Sequence, residues 1–484
     1  MQKTTVISDI VTAPTGAKAV GRKKEIFDRA LFWSFLGALA WCPFWFGSND
    51  LTAWGVNAIL FPGLALAYEA SVLLAGRRHP VNIKTLGLPV VLFAVVVGWV
   101  VVQSGTWVPP GLAHPIWALA ADTLGQPVDA SISVNRDQTS LALLRLVTAA
   151  SVFWVALQMC RDSARSRQLI NAVAAIVCFY AAFGLISAAL MPDNILWIQN
   201  FNPHGSVSAT FINRNSFATF AGMGFLAIST ILLRLYRHAT IHAAGPPRMR
   251  IAMFIETTGR VGAAVIAATF IIAGAELLSG SRGAILSTAV AFFVLIVLTF
   301  KRDARRANEQ RETILFVIFL AAAAFVAFGD QFMGKLANGD LDQQGRMAVY
   351  GITIESILDS PMLGYGYGTF SDIFPMFRDQ SISVIGHWLQ AHNTYLELFQ
   401  GLGVFFGFLL IACVATLVFR CLKGAMVRIE NASVPALAAS AGVLVGLHAL
   451  VDFSLQIQAV TLTFMALLGA GCAQSASSRM SLGD

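Results

Sequence analysis

The sequence predicts an all-α polytopic membrane protein with about twelve transmembrane helices and one large outer loop that contains surface helices. Three observations carry this. Hydrophobic residues make up 56% of the 484 positions and charged residues only 12%, whereas soluble domains run nearer a quarter charged. Apolar runs of membrane-spanning length recur from Leu31 to the C-terminus, and a bilayer core demands about twenty such residues per helix. Finally, each run must be a helix, because in lipid every backbone amide has to be satisfied within its own segment.

Taken in order, residues 1–29 are polar and basic and read as a cytoplasmic N-terminal tail; they lack the short apolar core of a signal peptide. Nine spans are expected over 30–329, near 30–48, 51–76, 85–103, 140–160, 168–190, 216–236, 260–279, 283–300 and 312–329. A large outer loop, 330–395, follows. Three further spans lie within 396–475, near 396–420, 434–452 and 455–474, before a short C-terminal tail, 476–484. With the N-terminus inside, 26 of the 33 Lys and Arg fall on the inner side, a bias that sets orientation under the positive-inside rule. The net charge of +7 is therefore topology, and no nucleic-acid partner is expected. The six cysteines fall in spans or at their ends, so no disulfide framework is indicated.

The inner connectors are short and basic, and no phosphate-cradling glycine loop precedes a helix. Three outer segments, roughly 104–139, 191–215 and 330–395, are too long for simple turns. The third is rich in aromatic residues, among them Tyr350, Tyr365, Phe370, Phe374 and Trp388. Chemistry is thus expected on the outer face, where no nucleotide sugar is available and a substrate has to arrive already activated, on a lipid.

Seven cations escape the inner bias: Arg136, Arg145, Arg214, Arg282, Lys335, Arg346 and Arg378. Arg214, Arg282 and Arg346 sit at the mouths of spans or in the large loop. A guanidinium binds phosphate in forked geometry, so three around one cleft suit a diphosphate; the competing reading is that each snorkels to lipid headgroups. His392 is a candidate general base, since a neutral imidazole accepts a hydroxyl proton near pH 7; the competing reading is an ordinary hydrogen-bonded histidine. Asp340-Leu-Asp342 has the look of a metal-binding pair, but solvated loop acids account for it better and no metal site is expected. His448 and Asp452 stand at i and i+4 near the outer end of a span, where ionisable residues are either functional or pair two helices. Glu69 and Glu276 raise the same question.

Four segments, in this order, resemble the O-antigen ligase and polymerase superfamily: Phe211-Ile-Asn-Arg-Asn-Ser-Phe-Ala218, Ser279-Gly-Ser-Arg-Gly-Ala284, Gly345-Arg-Met-Ala-Val-Tyr350 with Ser360-Pro-Met-Leu-Gly-Tyr-Gly-Tyr-Gly-Thr-Phe370, and Ala391-His-Asn-Thr-Tyr-Leu-Glu397. The resemblance implies a GT-C-like, metal-independent, inverting glycosyltransferase of the bacterial inner membrane. Its active site would be periplasmic, both termini cytoplasmic, and no cofactor is implied. The donor would be an undecaprenyl-diphosphate-linked glycan. The acceptor would be lipid A core for a ligase, or a second lipid-linked glycan for a polymerase of O-antigen or exopolysaccharide repeats; protein O-glycosylation ranks third. On this reading Arg282 and Arg346, with Arg214, hold the diphosphate, and His392 orients or deprotonates the acceptor hydroxyl. Asn213, Asn215 and Tyr350 belong with the donor, and His387, Asn393 and Tyr395 with the acceptor or in support. The competing class is a twelve-span transporter, but its two six-span halves and charged midplane site are not evident.

Overall fold

The computed structural model describes residues 15–202, 205–240, 247–300, 340–382, 388–428 and 432–475. The expected ninth span, 312–329, Lys335 and His387 lie outside the described residues.

The chain is mostly helical. In sequence order the helices are α1 (Thr15–Trp41), α2 (Leu51–Leu74), α3 (Gly87–Ser104), α4 (Ile116–Leu124), α5 (Arg136–Met159), α6 (Ser163–Leu190), α7 (Arg214–Thr240), α8 (Pro247–Ser279), α9 (Arg282–Phe300), α10 (Asp340–Asp359), α11 (Phe370–Phe377), α12 (Thr394–Leu402), α13 (Val404–Val427), α14 (Ser433–His448) and α15 (Gln458–Gln474). A two-stranded hairpin, β1 (Asn194–Ile195) and β2 (Ile198–Gln199), lies between α6 and α7. Among the described residues eight helices are long and apolar enough to cross a membrane: α2, α3, α5, α6, α7, α8, α9 and α13; α14 and α15 are apolar but shorter. The large side chains that line the bundle exterior, such as Ile59, Leu66, Phe179, Phe293 and Phe408, are exposed to the extent expected of a surface solvated by lipid.

Helix boundaries follow caps and glycines more closely than hydropathy. Asn135 and Asp162 accept the first free N–H groups of α5 and α6, so α5 starts at Arg136 and not near residue 140. The first helix already begins at Thr15, inside the segment read from sequence as a tail, and ends at Trp41, seven residues before the expected limit. Within α8 the backbone breaks at Gly259, with φ 49° and ψ −126°, one residue before the expected seventh span.

The expected tenth span, 396–420, is two helices. Gly403 (φ 78°) separates α12 from α13, and a Cβ there would come within 2.4 Å of the Met362 carbonyl oxygen. The loop after α10 docks into this break: Tyr365 N–H donates to the Gln400 carbonyl, Gly366 N–H to that of Gly401, and Val404 N–H to that of Pro361. Gln103, buried at the end of α3, donates to the carbonyls of Leu363 and Gly401 and so fastens the same junction. The outcome is a short helix, α12, held across the end of the bundle.

At one end of the bundle the starts of α5, α7, α9, α12 and α15 meet the ends of α3, α8 and α14. We call it the site end. The core beneath is one large cluster in which α7 is nearly enveloped: 89% of its most apolar 18-residue window is buried. A smaller apolar cluster, Val349, Ile352, Phe370, Phe374, Ile382 and Ala391, holds α10 and α11 against the segment that leads into α12.

Candidate functional site

The site is organised by the turn Ala449–Ser454, between α14 and α15. Asn393 caps α12, accepting from the N–H groups of Tyr395 and Leu396, and its amide nitrogen donates to the Leu450 carbonyl at 2.9 Å. Thr394 N–H donates to the Ala449 carbonyl at 2.9 Å, and the Thr394 hydroxyl to that of Asp452 at 3.0 Å. The Tyr395 hydroxyl donates to the Gly446 carbonyl at 2.8 Å. The start of α12 is thus clamped to the end of α14, and the residue just before the clamp is His392.

His392 lies in the left-handed region, φ 55°, which costs a non-glycine residue energy that the surroundings have to supply. Four contacts hold it there. The preceding Ala391 N–H donates to Glu397 Oε1 at 2.6 Å. The Tyr350 hydroxyl donates to the His392 carbonyl at 2.9 Å. Its ring packs edge to face on Phe453, 4.9 Å between centroids, and on Trp388 at 5.7 Å. Its side chain retains 20% exposure, and Nδ1 faces Asp452 Oδ1 at 3.7 Å.

Asp452 is fully buried. Burial pushes its carboxyl up, but His392, His448 and the Ser454 hydroxyl outweigh this and leave it below the ordinary carboxylate range. Asn215 Nδ2 donates to Oδ1 at 3.2 Å and the Ser454 hydroxyl to Oδ2. Beside it the Thr219 hydroxyl lies 2.7 Å from His448 Nδ1 and 3.1 Å from the Ser454 hydroxyl. The i, i+4 pair flagged in the sequence is therefore a network that ties α7 to the turn, with Asp452 turned toward His392.

Arg346 reaches the same turn, Arg282 stands one residue from a glycine packed against it, and Arg214 lies to one side. Arg346 Nη1 donates to the Val451 carbonyl at 3.4 Å. Arg282 opens α9, and the next residue, Gly283, packs so closely that a Cβ would sit 2.9 Å from Val451 and 3.0 Å from His448. Arg214 opens α7 one residue before Asn215. Its N–H donates to Asn202 Oδ1 and its Nη1 to Ser206 Oγ, each at 3.3 Å, so its guanidinium is drawn toward the 202–206 loop. Asn213 caps α7, accepting from Asn215 and Ser216 N–H.

Of the residues singled out from sequence, the structure gathers His392, Arg346, Asn215 and Asn393 on the Ala449–Ser454 turn, with Tyr350 on the His392 carbonyl, Tyr395 on Gly446 of α14, and Arg282 beside Gly283, which packs against the turn. Asn213 acts as a cap and Arg214 stands at the rim. His387 lies outside the described residues. Asp340 and Asp342 begin α10, and their side chains are likewise outside the described residues. Glu69 is occupied structurally, meeting His79 Nε2 at 2.8 Å and the Trp154 indole at 2.6 Å. Among the described residues no three His, Cys, Asp or Glu side chains are grouped to hold a metal ion.

Two residues carry more of the site than their place in the sequence signals. Glu397 stood only as the last letter of a motif, yet its carboxylate fixes the His392 turn through Ala391. Burial raises its carboxyl to about 8, opposed by donors from Gln456 and Ala391. Asp452 carried a signal, its pairing with His448, but nothing in the sequence aimed it at His392.

Residues 267–412 match the family model described as O-Antigen ligase. Over these residues the chain resembles the O-antigen ligase family. The matched stretch contains Arg282, Arg346, Tyr350, His387, His392, Asn393 and Tyr395, whereas Asn213, Arg214, Asn215 and Asp452 lie outside it. No curated protein matches the chain.

Proposed function

We propose that this protein is an O-antigen ligase-type glycosyltransferase, moving a glycan from undecaprenyl diphosphate to a hydroxyl of lipid A core. The observation that carries the reading is the convergence of a histidine, a buried carboxylate and two arginine-bearing helices on one turn. The family match supports the reaction class. The inner excess of Lys and Arg supports a twelve-span topology with both termini cytoplasmic and the site end periplasmic.

The proposed chemistry is a single displacement. The acceptor hydroxyl oxygen attacks the anomeric carbon of the donor sugar from the face opposite the diphosphate, so the configuration inverts. The bond between that carbon and the diphosphate oxygen breaks, and the diphosphate leaves on its polyprenyl chain. Arg282 and Arg346, with Arg214 at the rim, hold the charge that gathers on the leaving group. Preorganised help of this kind is often the largest catalytic term. The leaving group needs no proton, so neither an acid nor a metal is required of the protein.

His392 accepts the hydroxyl proton at Nε2. Its Nδ1–H then points at Asp452, whose charge favours the imidazolium that forms. The 3.7 Å separation shortens as substrate binds; such contacts are commonly long without substrate. Tyr350 and Glu397 keep the backbone of His392 in its left-handed turn.

The test is a deletion of the gene complemented by wild type, His392→Ala or Arg282→Ala, with surface polysaccharide resolved on a gel. A ligase deletion loses all capped core while lipid-linked polymer accumulates, and neither variant restores it. Core capped by single repeats would instead mean a polymerase, whose acceptor is a second lipid-linked glycan. An unchanged surface would remove the proposal.

A further inference from the structure

Arg145 is one of the outward cations that the proposed reaction does not use. It lies on α5, far enough along the helix to be under the surface of the site end, with its guanidinium 4.4 Å from the centroid of the Trp54 ring and donating to the Gln456 carbonyl. Together with Glu397 it lines a cavity of about 500 Å³ between α5, α12, α13, α14 and α15. A charged residue at this depth is costly and calls for a functional account.

The cavity is amphiphilic along its length. Its polar lining, which includes Arg145, Thr394, Tyr395, Glu397 and Gln456, is confined to the site end, and Thr394 is two residues from His392. Below that it is bounded by apolar side chains, from Leu410 to Leu422 on α13 and including Phe419. That stretch of helix is about 18 Å long, close to the roughly 15 Å depth of one bilayer leaflet. Ala415, which lines it, is exposed, so the slot opens to the lipid-facing surface. Gly442 and Gly446 on α14 make room for it.

The position of the slot relative to the arginines decides what it is for. Gly446 faces the Tyr395 hydroxyl, while His448, two residues on and about 200° around the helix, faces Gly283 beside Arg282. The slot and the Arg282 arm therefore occupy opposite faces of α14, and His392 stands over the end that separates them. On the reading that the arginines hold the donor diphosphate, a chain in the slot belongs to the other substrate.

We infer that the slot receives one acyl chain of the acceptor, an acylated glycolipid, with Arg145 at its mouth meeting an anionic group on the acceptor head. A leaflet-deep slot suits an acyl chain, whereas a long polyprenyl chain overruns it. The inference rests on the proposed function, yet its test does not need turnover.

The full-length protein in lipid nanodiscs is irradiated with three probes, each carrying a diazirine in its hydrocarbon part: an acylated, phosphorylated glucosamine disaccharide, a polyprenyl diphosphate disaccharide and phosphatidylethanolamine. Labelled peptides are then mapped by mass spectrometry. The expected result is labelling around Ala415 and Val443 by the acylated disaccharide. It falls at least tenfold in Ala415→Trp and in Val443→Phe, and persists in Leu286→Trp, a change on the exposed face of α9. Labelling of the slot by the polyprenyl probe instead, or by phosphatidylethanolamine as strongly as by the disaccharide, overturns the inference. So does an unlabelled slot, or labelling that survives both slot-filling variants. Slot labelling by the disaccharide in a protein that transfers no glycan would leave the inference standing and remove the proposed function.

Discussion

Two buried carboxylates flank His392, and they are in opposite states. Asp452, in the turn after α14, is fully buried, yet its partners hold it below the ordinary carboxylate range. Glu397, in α12, is nearly as buried, and its carboxyl is raised to about 8. Burial is therefore not what separates them. Asp452 faces two histidines and accepts from Asn215 and Ser454, all of which favour the charged form. Glu397 accepts from an amide side chain and one backbone N–H, which do not offset the loss of water. One carboxylate supplies charge to the imidazole; the other supplies shape to the backbone that carries it.

This difference is open to direct attack. The largest effect is expected from His392→Ala and Arg282→Ala, each lowering the rate of glycan transfer about a hundredfold or more, measured with purified protein and a lipid-diphosphate donor. If Asp452 acts through charge, Asp452→Asn costs nearly as much at pH 7; a full-rate Asn variant would reduce Asp452 to a structural link.

Tyr350→Phe removes one hydroxyl that donates to the His392 carbonyl. A neutral hydrogen bond is worth about 1 kcal/mol, so transfer should fall roughly fivefold with little change in melting temperature. A loss as large as that of His392→Ala would mean that the tyrosine touches substrate.

The smallest effect on activity at neutral pH is expected from Glu397→Gln, because the amide oxygen still accepts from Ala391. Its signature lies in stability. A carboxyl raised from its ordinary value to about 8 contributes stability that is fully present below the unfolded value and lost as pH rises through about 8. Wild-type protein in detergent should melt at progressively lower temperature between pH 5 and 9 relative to Glu397→Gln. Parallel curves would show that Glu397 is already ionised in the folded protein.

What the sequence determined by itself was the class of molecule and the residue types of its chemistry. Hydropathy forces helices because lipid leaves the backbone no other way to satisfy its amides. The bias of Lys and Arg marks which cations are exceptional, and four motifs in order pointed to the family that the 267–412 match bears out. These are properties of composition and spacing along the chain, and they survive without knowledge of packing.

Tertiary structure decided the rest. The break at Gly403 could not be read as one, because Leu396–Arg420 is continuous in hydropathy; it exists because the loop at 361–366 occupies the space a Cβ would need. Asp452 is sixty residues from His392 in the chain, and only the clamp of α12 on the end of α14 aims one at the other. Arg145 looked like the other outward cations until packing placed it at the mouth of a slot. Periodicity registers which face of a helix is apolar, but not which helix that face will meet. Partner choice rests on contacts between residues far apart in sequence, and those set the charge of Asp452 and the proton of Glu397 alike.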